Sequence, residues 1–289
     1  MTTQPETTAR LLITCPDRSG IVASVTTFLF QHGANITELD QHSSDPEGGK
    51  FFMRLEFQTP RLDLSKDALH AAFGEAVGKR FSMDWHITYA AIKPRMAILV
   101  SRHDHCLLEL LWRWSRQELA AEIPLVISNH ADLRSAVESF GVRFEHVPNT
   151  TGNQSAAEAR MQELLKGKTD FLVLARYMRV LSKEFVAHWP SRILNIHHSF
   201  LPAFAGADPY RQAYEHGVKL IGATAHYVTA ELDQGPIIGQ DTARVSHRDS
   251  QEDLKRLGRD LERQVLACAV LWQLEDRIIV DGNKTVVFA

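Results

Sequence analysis

Ile193-Leu194-Asn195-Ile196-His197-His198-Ser199-Phe200-Leu201-Pro202 is the stretch on which the fold turns. Ile193 to His197 is an apolar run interrupted by Asn195, and it reads as a buried strand. Similar runs lie on both sides of it, separated by helical patterns. Upstream, Met96–Val100, Leu125–Ser128, Phe144–Pro148 and Phe171–Ala175 read as strands. Between them Cys106–Leu119, Asp132–Phe140, Ala156–Lys166 and Lys183–His188 read as helices. Downstream, a helix over Tyr210–Glu215 precedes strands over Gly222–Val228 and Pro236–Ala243, then a long amphipathic helix over Ser250–Leu274. Alternation of this kind predicts an α/β domain with a Rossmann-like, mainly parallel sheet. Helices cover both faces of such a sheet, and ligand sites open at the carboxyl ends of its strands. Arg277–Phe288, with Asp281-Gly282 at its turn, reads as a closing hairpin.

The first ninety residues follow a different grammar. Ala9–Cys15 reads as a strand, and Pro16-Asp17-Arg18-Ser19-Gly20 ends it with Ser19 placed to cap a helix. Ile21, Val22, Val25, Phe28 and Leu29 form the apolar stripe of that helix, and Gly33 stops it. Asn35–Ser43 and Phe51–Gln58 alternate as strands about the turn Asp45-Pro46-Glu47-Gly48-Gly49. Leu64–Phe81 reads as a helix and Met83–Tyr89 as a last strand. This β-α-β-β-α-β order predicts a ferredoxin-like α+β domain. Ala90–Arg95, containing Lys93-Pro94, reads as the joint. The expected division is therefore 1–90 and 91–289.

Bulk properties narrow the function classes. The chain has 289 residues, 44% apolar and 23% charged, as a globular protein with ample core would. A net charge of -3 gives no reason to expect nucleic-acid binding. No run is long and apolar enough to span a membrane, and Met1–Arg10 lacks a signal core, so a cytoplasmic protein is expected. Cys15, Cys106 and Cys268 lie far apart without CxxC spacing, and the histidines form no HxxxH pair. Neither a disulfide framework nor a metal site is expected.

The chemistry gathers at the strand end. Asn195 and His197 are two apart, so their side chains share one face of an extended chain. Asp233 follows in Ala230-Glu231-Leu232-Asp233-Gln234-Gly235-Pro236. An amide donor, an imidazole and a carboxylate suit attack of an oxygen on a carbonyl, where negative charge builds on oxygen. Plainer readings exist for each: a strand end bonded to a loop, and an Asp-Gly turn. His226 supports the site or fills the core. His198, on a strand, points away from His197 and is structural or lines the substrate.

With these motifs on the page, roughly Pro94 to Ala243 resembles the formyltransferase superfamily that handles 10-formyltetrahydrofolate. The resemblance rests on Leu174-Ala175, Tyr177–Ser182, Asn195-Ile196-His197, Gly217-Val218-Lys219, Gly222–Val228 and Leu232–Ile238. It implies a catalytic set of Asn195, His197 and Asp233. It also implies contacts to the folate substrate from Met178, Arg179, Leu181 and His226, and from Thr229, Ala230, Glu231 and Leu232, with no cofactor besides that substrate. The first ninety residues resemble an ACT domain on Asp17-Arg18-Ser19-Gly20 and Gly33-Ala34-Asn35. That implies a small amino-acid effector near Asp17, Arg18, Gly20 and Asn35, although Asp17 and Asn35 also read as turn and cap residues. Exposed edges of such sheets commonly pair between subunits, so a homo-oligomer is expected.

This layout is similar to a hydrolytic branch of the superfamily, which cleaves 10-formyltetrahydrofolate to formate and tetrahydrofolate. His198, Ser199–Phe204 and Pro209–Ala213 fit that branch. The amine-directed transferases carry a Gly-rich turn after the first strand, where backbone N–H groups hold an acceptor phosphate. This chain has Val100-Ser101-Arg102-His103-Asp104-His105-Cys106 there, with no glycine and with an acidic residue. Water is then the expected nucleophile. Transfer to an amine, or folate or amino-acid sensing without catalysis, are the alternatives.

Overall fold

The computed structural model describes residues 7–45, 47–150, 152–202 and 209–289. Pro46 of the expected turn, Ala203-Phe204 of the matched stretch and most of Met1–Arg10 lie outside or at the edge of these ranges. The chain divides into two compact units.

In the first unit the elements are β1 (Thr8–Pro16), α1 (Ile21–Gln31), β2 (Asn35–Ser43), β3 (Lys50–Gln58), α2 (Lys66–Phe73), α3 (Lys79–Phe81) and β4 (Asp84–Tyr89). The sheet runs β2-β3-β1-β4 with antiparallel neighbours, the ferredoxin-like arrangement. Leu11 and Ile13 of β1 pack with Met53 and Leu55 of β3 and with Val25, Leu29 and Phe73 from the helices. Leu12 and Phe52 are buried on the opposite face by Ile279 and Phe288. Covered on both faces, β1 reads as a continuous apolar run instead of an alternation.

Three local expectations are corrected. Gly20, not Ser19, takes the N-cap position of α1, and no side chain bonds the free amides. The helix expected over Leu64–Phe81 is interrupted by a wide turn at Gly74–Gly78, where Trp85 packs against both glycines. The closing segment divides: Glu275–Asp281 and Val286–Ala289 go with the first unit. The cause is Arg54, fully buried on β3, which donates to Glu38 at 2.7 Å, to the Glu275 carbonyl at 3.0 Å and to the Asp276 carbonyl at 3.1 Å. A buried guanidinium needs all its donors satisfied, and this segment supplies the carbonyls.

The second unit is built on β5 (Met96–Val100), β6 (Val126–Ser128), β7 (Phe144–His146), β8 (Phe171–Leu174), β9 (Ile193–His197), β10 (Leu220–Tyr227) and β11 (Ile237–Arg244). They form one sheet in the order β11-β10-β9-β8-β5-β6-β7. The five strands from β9 to β7 are parallel; β10 and β11 run antiparallel. The connections hold α4 (His105–Ser115), α5 (Arg134–Ser139), α6 (Gln154–Leu165), α7 (Lys183–Ala187) and α8 (Pro209–Glu215), and α9 (Gln251–Leu274) follows β11. Helix α4 stops at Ser115, short of the expected Leu119, because the chain turns through Gln117 at φ 63°. No helix among the described residues is long and apolar enough to cross a membrane.

Candidate active site

Strand β9 delivers the first two groups. It pairs with β8 on one side and with β10 on the other, so Asn195 stands opposite His226 and His197 opposite Thr224. Asn195 and His197 line one cavity of about 310 Å³ at the carboxyl end of β9, as the two-residue spacing requires. His226 lines it too, its Nε2 3.1 Å from the Asn195 amide nitrogen. The Nδ1 of His226 lies 2.9 Å from the Tyr227 carbonyl, which can accept only, so that nitrogen carries the proton. Nε2 is therefore an acceptor for one Asn195 N–H, and the second N–H of that amide is left for the cavity.

Asp233 arrives on the loop between β10 and β11. A side chain at Gly235 would put Cβ 1.7 Å from the Tyr227 carbonyl, so only glycine lets the loop fold back onto the strand. Asp233 itself sits at φ 54°, a left-handed conformation that aims its carboxylate inward. Its Oδ1 is 3.4 Å from His197 Nδ1 and 3.8 Å from His226 Nε2. The hydrogen bond from His197 outweighs burial and holds the Asp233 carboxyl below its ordinary range. With Nδ1 turned to Asp233, the buried His197 Nε2 has no hydrogen-bond partner.

Met178, Arg179, Leu181, Thr229, Ala230 and Leu232 line the same cavity. Glu231 does not: its carboxylate pairs with Lys183 at 3.0 Å on the exposed side of the loop. His198 lines the cavity, one of the two roles its reading left open, but it does not point away from His197. Strand β9 ends at His197, so strict alternation ends with it, and the His198 ring turns into the cavity 5.1 Å from that of His197. Thr224 fixes the turn by accepting from Leu201 N–H at 3.1 Å and donating to the Ser199 carbonyl at 2.8 Å.

Behind His198 lies a charge network that the sequence does not reveal. Glu262 of α9, 1% exposed, accepts from Tyr210 at 2.6 Å, sits 2.8 Å from His105 Nε2 and lies 3.3 Å from Arg176 Nε. Tyr210 reaches it because it packs on Gly258 of the same helix, where a Cβ would come 2.1 Å from the hydroxyl. Burial pushes Glu262 toward its neutral acid, but the His105 hydrogen bond and the Arg176 charge win and its pKa is lowered. His105, Cys106 and Glu262 also form a group whose ligand atoms lie within 4.8 Å of one another and could hold a metal ion. Their chemistry is otherwise engaged: His105 is bonded to Glu262, and burial with the Glu262 charge pushes the Cys106 thiol well above its usual value. Arg176 and Glu262 carry no local motif, and Tyr210 only the short stretch Pro209–Ala213; the long amphipathic helix α9 hints that a charged residue on its buried stripe has partners.

The regulatory candidates are not brought together within the unit. Asp17 follows the end of β1, accepts from the Ser43 hydroxyl and donates its N–H to the Gly49 carbonyl at 2.8 Å. Arg18 donates to the Arg80 carbonyl and lies over Phe81, and Gly20 opens α1. Asn35 stands opposite Gln58, which stands opposite Thr8 at the start of β1. A strand of that length separates the two groups by roughly 25 Å.

Buried neutral histidines make the unit acid-sensitive. Burial, helped by the Arg176 charge, pushes His198 down to about 3; burial also lowers His226. Above pH 6.5 they are neutral folded or unfolded. Below it the unfolded chain takes up protons that the folded one refuses, so stability is lost as pH falls. His198 alone should contribute about 1.4 kcal/mol per pH unit between roughly pH 6 and 4. The melting temperature should fall from pH 7 to pH 5, less steeply in His198→Gln, and equal melting at both pH values would refute this.

Comparison with known proteins agrees with this architecture. Residues 94–270 match the formyl transferase family model and residues 9–74 the ACT domain model. The formyltetrahydrofolate deformylase of Bacillus subtilis (strain 168) is 53% identical over 284 residues, 98% of this chain and 94% of that one. The crystal structure of a formyltetrahydrofolate deformylase from Pseudomonas syringae pv. tomato superposes with a TM-score of 0.94 at 50% identity, covering 98% of this chain and 94% of that one. Glycinamide ribonucleotide transformylase 1 from Symbiobacterium toebii, at 33% identity and TM-score 0.64, covers 68% of this chain and 95% of its own. Similar from end to end to the deformylases, and only in part to the transformylase, the chain belongs to the formyltetrahydrofolate deformylase family.

Proposed function

We propose that this chain is a hydrolase that cleaves 10-formyltetrahydrofolate to formate and tetrahydrofolate. The observation that carries the mechanism is the meeting of Asn195, His197 and Asp233 in one cavity, with the buried His197 Nε2 left without a hydrogen-bond partner. The carboxylate of Asp233 orients a water and takes its proton as the water oxygen bonds to the formyl carbon. The carbonyl oxygen becomes an oxyanion and accepts from Asn195 and from His197. Collapse breaks the bond between carbon and N10 as the proton held on Asp233 passes through His197 to N10, which leaves the folate amine neutral and restores the Asp233 carboxylate. The formic acid so formed gives its remaining proton to solvent and departs as formate. An oxyanion donor of this type is worth about 3 kcal/mol.

Met178, Arg179, Leu181 and the loop carrying Thr229 to Leu232 hold the folate in this reading, and no cofactor is required. Similarity over 98% of the chain to deformylases, against 68% to a transformylase, supports water over an amine as acceptor. The ACT unit is read as the site of a small amino-acid effector and of subunit pairing, in a cytoplasmic enzyme. Purified protein given 10-formyltetrahydrofolate should release formate and tetrahydrofolate in equal amounts with no amine added. Formate release that appears only with an added amine, or no turnover despite tight folate binding, would overturn the assignment.

A further inference from the structure

Two buried arginines in this chain are treated differently. Arg54 donates from Nε, Nη1 and Nη2, to Glu38, Glu56 and two backbone carbonyls. Arg176 is 8% exposed, yet its Nε and Nη1 are buried and donate no hydrogen bond. Its contact is the ion pair with Glu262 at 3.3 Å. Leaving a buried charged donor unmade is costly, so the arrangement asks for an acceptor. Arg176 is among the residues that line the same cavity as Asn195, His197 and His198. Its backbone is held at φ 63°, where an arginine is seldom found, by Ser101 N–H donating to its carbonyl at 3.2 Å. Ser101 in turn accepts from Met178 N–H at 2.9 Å and donates to Asn129 at 2.7 Å, so the turn that presents Arg176 is braced at both ends.

We propose that Arg176 forms an anion subsite inside the cavity that takes the carboxylate of the formate product, an inference that rests on the hydrolysis proposed above. A guanidinium offers two parallel N–H donors that match a carboxylate. The N-formyl group of the substrate is neutral and gains little from this cation. As water attacks, negative charge spreads over the two oxygens that become formate, and the interaction grows along the reaction. Glu262 pins the guanidinium from the side away from the ligand. The same cation disfavours a protonated amine in the cavity, which helps to leave the formyl carbon to water.

The test uses the full-length enzyme and formate itself. Binding of 13C-formate is followed by NMR relaxation without folate, and inhibition of turnover by sodium formate is measured against equal sodium chloride. The wild type should bind formate saturably, with chloride unable to reproduce the effect. Arg176→Gln should raise both formate constants at least tenfold while inhibition by tetrahydrofolate moves less than threefold. Arg176→Lys, which keeps the charge and loses the fork, should fall between, and it serves where Arg176→Gln does not fold. Absence of saturable formate binding in the wild type, or unchanged formate constants in either folded variant, overturns the subsite. If the enzyme hydrolyses 10-formyltetrahydrofolate in that case, the reaction stands without it. If formate binds through Arg176 but no hydrolysis occurs, the small-carboxylate subsite stands and the reaction falls.

Discussion

Asp233→Asn should lower the turnover of 10-formyltetrahydrofolate by about 10³-fold while the dissociation constant for folate changes less than about threefold. The asymmetry follows from position. Asp233 lies 3.4 Å from His197 on a loop whose neighbours Thr229, Ala230 and Leu232 line the cavity and hold the ligand. An amide at 233 is nearly the same size and fits the same left-handed turn, so the loop keeps its shape. What disappears is the charge. The hydrogen bond from His197 holds the carboxyl below its ordinary range, so the variant loses the group that receives the water proton and the negative charge facing His197. Stopped-flow or steady-state formate release together with calorimetric folate binding measures both quantities. Turnover within tenfold of wild type would remove Asp233 from the chemistry; a parallel collapse of folate binding would make it a binding residue.

Glu262→Ala should be the most destabilising single change in the second unit, by about 3–5 kcal/mol, seen as a melting temperature roughly 10 °C lower. Glu262 is fully enclosed and answers three groups at once: Tyr210, His105 and Arg176. Its removal leaves the Arg176 cation buried with no counter-charge, which costs far more than the intact pair stabilises. Glu262→Gln keeps the volume and an acceptor for Tyr210, so it should lose less. Thermal melts at pH 7.5 decide the matter. A Glu262→Ala melting temperature within 2 °C of wild type would mean that the network contributes little.

Much of the fold was legible because it is written in local patterns. The runs Met96–Val100 and Ile193–His197 are strands in the structure with those same limits, and the α1 stripe from Ile21 places its helix correctly. Both are short-range consequences of burial on one side of a periodic backbone. The helix ends were less legible. Whether a helix continues past Ser115 or breaks at Gly74 depends on the left-handed turn at Gln117 and on Trp85, which packs against Gly74 and Gly78 from strand β4. The pairing of Asn195 with His197 was visible from a two-residue spacing. The inward turn of His198 was not, since it depends on Thr224 of another strand.

What the chain carries locally is the order of strands and helices, the two kinds of domain and the shared face of Asn195 and His197; that Asp233 belongs with them was implied by the family resemblance. Periodicity carries the first two and a two-residue spacing the third. Packing between distant segments sets which nitrogen of His226 faces Asn195, turns Glu231 away from the cavity, and brings Arg176, Tyr210, His105 and Glu262 together. Those four come from separate elements spread across most of the second unit. A buried charge is tolerable only where distant chain segments supply its partners, and the pairing of distant segments is set by how the sheet and α9 close upon each other.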